Sequence, residues 1–379
     1  MNKSTRASIV ILLVFLFAYQ GAIAQDYKKA EFQLWSGPEI PSDPEKIPYA
    51  EGIEHRTILD ARKHDYKFLH GAAIINYKGT FFANWANSPK DENLSRETLQ
   101  GRRTIDPVGE WSSVEVIGPG FEGPERHSHG VYLEHNGELW TIAARFGAGP
   151  EGRKFDGLGA EAFVLNEKTD KWESRGRVMD NCWPYDQPVL MENGSYITGG
   201  QTKDGFPVVA FSQGSNLLKW ESVLIPYPEE LNPGFAETTV WAEGNRVIAV
   251  IRGGLGVAWA STSEDYGKSW TKAVPSNYPM PRAKAYLGKL STGQLYLISN
   301  FHNRNTLVIS VGRPGEMTLS SMWRIRHGES IPPRFEGKAK SKQWSYPYGY
   351  EHDGKLYVVY SIGKEDCGLS VIPIESLVR

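Results

Sequence analysis

The sequence predicts an all-β chain folded as one six-bladed β-propeller with four-stranded antiparallel blades. Three observations carry that prediction. A turn glycine recurs between β-rich flanks at an interval near fifty residues, a tryptophan recurs at a similar interval between those turns, and helical periodicity is nearly absent. An interval of about 40–50 residues holding four short strands is the pattern of a propeller blade, and it removes helical solenoids and doubly wound sheets.

Residues 1–24 are expected to be a secretory signal peptide. Lys3 and Arg6 precede an apolar run over 7–19, and Ala22-Ile23-Ala24 is a small-x-small cleavage site. The run falls short of the ~20 residues that a spanning helix needs. The expectation is therefore an exported chain, periplasmic or secreted, with a single propeller domain over 25–379, no membrane span and a monomeric state. The 42 basic and 44 acidic residues leave a net charge of −2, and no basic run is present, which argues against a nucleic-acid partner. Twelve Trp and 18 Tyr suit strands and sugar-stacking surfaces. The only cysteines, Cys182 and Cys367, are too few for a Cys/His zinc site and leave one disulfide open. No metal or cofactor is expected.

The six turn glycines are Gly79, Gly137, Gly194, Gly244, Gly293 and Gly354, each following a polar pair or turn residue between strand-like flanks. The tryptophans are Trp111, Trp172, Trp220, Trp270 and Trp323, each expected to open the fourth strand of its blade. In the best-marked unit the strands are expected at 238–242, 246–251, 257–262 and 270–274. The last unit lacks its Trp strand, and the segment 31–35 is expected to supply it and close the ring. A degenerate seventh blade between Gln25 and Leu69 is the alternative.

In a propeller the segments entering the innermost strands converge on one rim of the central channel. Here those segments carry His70, Arg126-His127-Ser128-His129, Trp183-Pro184-Tyr185-Asp186, Glu237, Lys284, and Tyr346-Pro347-Tyr348. The exits of second strands add Arg145 and Arg252. Strict alternation would send Tyr346 and Tyr348 to the same side. Ionisable groups at Arg126, His127 and His129 are costly to bury without a purpose. Several cations beside few carboxylates suit an anionic substrate, with Arg forks on a carboxylate or sulfate. Trp183, Tyr185 and Tyr346 suit sugar stacking.

Ser263-Glu264-Asp265-Tyr266-Gly267-Lys268-Ser269-Trp270 matches the Asp-box S-x-D-x-G-x-x-W and resembles the turn between the third and fourth strands of a sialidase-type blade. Asp106 and Trp111 keep its spacing in a decayed copy. Together with His70-Gly71-Ala72-Ala73, Ser128-His129-Gly130-Val131, Thr238-Thr239-Val240-Trp241 and Tyr346-Pro347-Tyr348, the chain is similar to the propeller families that include ulvan lyases, an ulvan-oligosaccharide dehydratase and a rhamnosidase acting beside glucuronate. That resemblance implies catalytic roles for His70, His129 and Tyr348, with Arg252 on the substrate. The chain lacks the second histidine that the lyases pair with the first, for His70 and for His129 alike, which favours action at the ends of acidic oligosaccharides.

Two reactions fit such a rim. β-Elimination at a non-reducing-end uronate needs a neutralised carboxylate, a base and an acid, here His129 or His70, Tyr348, and Arg145 with Arg252. Arg126, Trp183, Tyr185, Glu237, Lys284 and Tyr346 would then bind substrate. The runner-up is an exo-glycosidase of rhamnosidase or sialidase type, the latter needing a Tyr–Glu pair and an Arg group. The non-enzymatic alternative is a glycan-binding propeller.

Overall fold

The computed structural model describes residues 30–94, 96–148, 155–228 and 234–378. The expected signal peptide lies outside the described residues. The chain forms a six-bladed β-propeller of antiparallel sheets. The inner strands of the six blades are Phe68–Tyr77, Glu125–His135, the broken pair Trp183–Pro184 and Val189–Leu190, Thr238–Glu243, Tyr286–Lys289, and Trp344–His352. Each hairpin turn places its glycine in the left-handed region, as at Gly137 (φ 75°) and Gly244 (φ 62°), where a side chain would be strained. No seventh blade forms among the described residues.

Ring closure differs from the expectation. The fourth strand of the last blade is Glu54–Leu59, which pairs antiparallel with Asp366–Pro373 through His55 opposite Ser370. Phe32 and Trp35 instead bridge in parallel to Ser276 and Leu319 on the fourth and fifth blades. The closing strand buries Ile58 and Leu59 at its end in the main core and leaves Glu54, Arg56 and Thr57 exposed, so its hydrophobic signal is only two residues long.

Trp172 opens the fourth strand of its blade, Lys171–Asp180, as expected, and Trp323 lies within Ser321–Arg326, whereas Trp111, Trp220 and Trp270 hold turns. Trp270 precedes its strand, Val274–Pro279, and its indole N–H donates to Gly267 O at 2.8 Å. Asp265 accepts from the Ser269 amide at 2.8 Å and the Ser263 hydroxyl at 2.8 Å, so the Asp-box satisfies its own turn. Trp220 and Trp111 repeat the indole bond to Leu217 O and Pro107 O.

Blades are stitched near the axis by Asp186, which sits in the break of the third inner strand. Its carboxylate accepts from Gly199 N (2.7 Å) and Thr198 Oγ1 (2.7 Å) on its own blade, and from Val240 N (2.6 Å) and Thr239 Oγ1 (3.0 Å) on the next. Thr239 Oγ1 in turn accepts from Leu287 N on the blade after that. Cys182 and Cys367 are buried and unpaired.

Candidate functional site

Three inner strands begin with the same irregularity. Between His70 and Ala73, between His127 and Gly130, and between Ser345 and Tyr348, one extra residue interrupts the pairing with the second strand. A bulge of this kind re-aims the side chains it contains. It turns His129 and Tyr346 toward the axis beside His70. Gly71 (φ 63°) allows the approach, because a Cβ there would lie 2.1 Å from Cγ of His129.

The resulting cluster is compact. The His70 and Tyr346 rings are 3.6 Å apart between centroids, and His129 lies 6.0 Å from His70 and 6.2 Å from Tyr346. Trp183 and Tyr185, stacked 5.8 Å apart, flank His129 at 5.0 and 5.3 Å. Tyr346 donates its hydroxyl hydrogen to Glu237, which also accepts from Nη1 of Arg252 at 2.6 Å; that guanidinium nitrogen stands 3.5 Å from the Tyr346 oxygen. Tyr346 holds φ at 57° despite being followed by proline, a backbone cost of order 1–3 kcal/mol that surrounding contacts must offset. Lys284 anchors that bulge by donating to Pro347 O at 2.9 Å.

Electrostatics follow from burial. Desolvation, with Lys364 next, drives the His70 pKa well below its usual value; desolvation, with Lys284 next, lowers His129 to about 3, so both imidazoles are neutral at pH 7. Burial and the nearby Glu237 push the Tyr346 phenol well up. Burial opposes the charge on Arg252, but Glu237 outweighs it and holds that guanidinium above its ordinary range. Lys284 falls to about 8 through burial, which the charges of Asp186 and then Glu237 partly offset.

The structure brings His70, His129, Trp183, Tyr185, Glu237, Arg252, Lys284 and Tyr346 together. Three other expectations are corrected. Tyr348 follows the bulge, so alternation is reset and its ring packs 4.4 Å from Tyr286 in the main core, away from His129. Arg145 is bonded to Glu125 (2.8 Å) and Glu161 (2.9 Å), and Glu161 also binds His127. Arg126 is buried behind the aromatic wall, its guanidinium 5.5 Å over Phe146, which itself lies 5.0 Å from Trp183. Both arginines support the blade; neither bonds the cluster.

Sequence reasoning missed four contributors. Glu92 approaches His70 Nε2 at 3.5 Å and accepts from Lys364 at 2.8 Å. Lys364 and Arg304 stand 5.8 and 5.9 Å over the Tyr346 ring. Among the described residues Arg304 donates to neutral acceptors, Gln343 Oε1 and Arg282 O, contacts that leave its charge uncompensated. Glu97 is buried under Ser128 and raised by desolvation to about 7. Glu92 and Lys364 follow second strands, the same position that singled out Arg145 and Arg252, so a wider reading of that rule would have found them. The inner side chains are nearly closed to solvent, while exposure rises toward Glu92 (30%) and Phe235 (42%).

Residues 79–358 match a family model described as a BNR repeat-like domain. A search of curated proteins finds no match. Among solved structures, one described as a sialidase is 18% identical, with a TM-score of 0.65 over 91% of this chain and 35% of its own length. A protein of unknown function from Dyadobacter fermentans is 13% identical, with a TM-score of 0.66 over 85% of this chain and 99% of that one. The intramolecular trans-sialidase from Ruminococcus gnavus is 10% identical, with a TM-score of 0.62 over 86% and 98%. The chain thus spans about a third of the sialidase named first. At these identities the likeness shows the propeller fold.

Proposed function

The chain belongs to the BNR repeat-like domain family, and from that premise we propose that it is a carbohydrate-active enzyme cleaving the glycosidic bond of an acidic sugar through a tyrosine nucleophile. The observation that carries this reading is the Tyr346–Glu237–Arg252 unit at the centre of the cluster. A phenol is a weak nucleophile at its free pKa and needs an adjacent base. Glu237 takes the hydroxyl proton as the Tyr346 oxygen bonds to the anomeric carbon and the glycosidic C–O bond breaks. Arg252 stabilises the charge passing between the two. Glu92, the partly exposed carboxylate beside His70, protonates the leaving oxygen and then takes a proton from the water that releases the sugar. Sialidases use a Tyr nucleophile where other retaining glycosidases use a carboxylate, and sialidases are among the propellers this chain resembles.

An acidic sugar is favoured by the charges around Tyr346. Arg252, Lys284, Arg304 and Lys364 face Glu92, Asp186 and Glu237; Arg252 and Lys364 are bonded to carboxylates, whereas among the described residues Arg304 and Lys284 donate to neutral oxygens. Trp183 and Tyr185 supply an aromatic wall for the ring.

Elimination at a uronate is the second reading, and the two neutral imidazoles beside Tyr346 are the observation in its favour. Against it, a histidine whose conjugate acid lies at about 3 is a poor base for a carbon-bound proton. The deciding experiment offers aryl glycosides of N-acetylneuraminic and glucuronic acid. Phenol release with retained anomeric configuration, abolished in Tyr346→Phe, is the expected result. An unsaturated uronate product that survives Tyr346→Phe overturns the nucleophile assignment in favour of elimination.

A further inference from the structure

The end of the propeller axis away from Tyr346 also carries a built site. A cavity of about 510 Å³ opens there, walled by the inner strands of all six blades. Tyr346 and Tyr350 lie four residues apart on one inner strand, a separation of about 13 Å at the rise of an extended chain, so this mouth is distinct from the reactive cluster. Tyr196, Trp241 and Tyr350 flank it with half-buried rings, and Glu134 and Glu351 add carboxylates. Glu134 stands close enough to Tyr196 and Tyr350 to raise both phenols, behind the larger effect of their burial.

The floor is shaped for its aromatic lining. The Tyr296 ring lies across two neighbouring inner strands at Gly288 and Gly349, where a Cβ would come within 2.5 Å of Tyr296 Cζ and 2.9 Å of its hydroxyl. Any other residue at either position would displace that ring. Lys289 is the cation lining the cavity, and both Glu243 oxygens accept from it at 2.8 and 2.6 Å.

Chemistry selects among ligands. An anion would face Glu134 and Glu351 with the lysine already neutralised. An organic ammonium would suit the rings and carboxylates, but it accepts no hydrogen bond and so could make no use of the Gln187 amide donors in the lining. A sugar hydroxyl both donates and accepts, and a pyranose presents C–H faces to aromatic rings. We propose that this mouth binds a neutral pyranose, with Trp241, Tyr196 and Tyr350 against its ring and Glu134 and Glu351 accepting from its hydroxyls. The inference is independent of the reaction at the other end of the axis.

The test titrates the full chain and its Tyr346→Phe variant with glucose, galactose, rhamnose, N-acetylglucosamine and lactose by saturation-transfer NMR and calorimetry, with tetramethylammonium chloride and N-acetylneuraminic acid in parallel. Binding of at least one neutral sugar is expected in both proteins. Trp241→Ala and Glu134→Gln should each weaken it roughly tenfold, the size of one lost stacking or hydrogen-bonding contact. Both positions are surface-reaching, and unchanged melting temperatures would show that the variants fold. The proposal is overturned if none of the five sugars binds, if tetramethylammonium binds in their place, or if sugar binding is lost in Tyr346→Phe and kept in Trp241→Ala.

Discussion

Tyr346, on the inner strand of the sixth blade, donates its phenolic hydrogen to Glu237 at the start of the fourth, past the whole of the fifth. The bond exists because the bulge between Ser345 and Tyr348 turns Tyr346 out of the alternation its strand would impose. It also separates two tyrosines that lie two residues apart.

Replacing them one at a time tests that separation. Tyr346→Phe keeps the ring against His70 and removes the hydroxyl, so turnover on the acidic aryl glycoside should fall by about 10³-fold or more, as loss of a nucleophile does. Tyr348→Phe, in the core beside Tyr286, should leave kcat within about twofold. Steady-state kinetics on both variants decides, and equal losses would return the role to Tyr348.

Arg304 should act on binding more than on the reacting bond. Arg304→Gln is expected to raise KM for an acidic substrate by roughly tenfold or more with little change in kcat, since removing a contact made equally in ground and transition states has that signature. Arg145→Gln should leave KM unchanged and lower the melting temperature, because Arg145 binds Glu125 and Glu161.

Gly71 is predicted to be irreplaceable for geometric reasons. In Gly71→Ala the new Cβ would sit 2.1 Å from the His129 ring at a φ of 63°. The expected loss is about 2 kcal/mol or more of stability from strain and overpacking together, read as a lower urea midpoint with an unchanged slope.

Two buried glutamates should shape stability in opposite directions. Burial raises Glu161, but hydrogen bonds from His127 and Ser174 outweigh it and leave its pKa at about 2, below the ordinary 4.5. Its contribution is therefore present above pH ~4.5 and lost as pH falls toward ~2. Burial lifts Glu97 from 4.5 to about 7, so between those values the unfolded chain binds fewer protons there and stability falls as pH rises. Denaturation midpoints across pH should flatten below about 4.5 in Glu161→Gln and between about 4.5 and 7 in Glu97→Gln.

Much of the fold was legible because a blade repeats. The turn glycines recur in register with the strands, the one intact Asp-box falls in phase with them, and local turn chemistry needs no distant partner. Closure by Glu54–Leu59 was not legible, since the strand it pairs with, Asp366–Pro373, lies some three hundred residues on in sequence. In the site, the convergence of His70, His129, Glu237, Arg252 and Tyr346 followed from their equivalent positions in the repeat. Glu92 and Lys364, beyond the ends of second strands, and Arg304, two residues into the third strand of the fifth blade, stand outside the inner-strand entrances on which the repeat focuses, and only the folded ring shows that they reach Tyr346 and His70.

The sequence by itself determined the repeat, the turns that close each hairpin and the set of blades whose inner strands carry ionisable side chains, because these depend on contacts between near neighbours in the chain. Tertiary structure decided which side chains face one another. A single extra residue in an inner strand exchanges the two faces of the sheet, so the register at Ser345–Tyr348, and not the spelling Tyr346-Pro347-Tyr348, placed Tyr346 against Glu237 and left Tyr348 in the core.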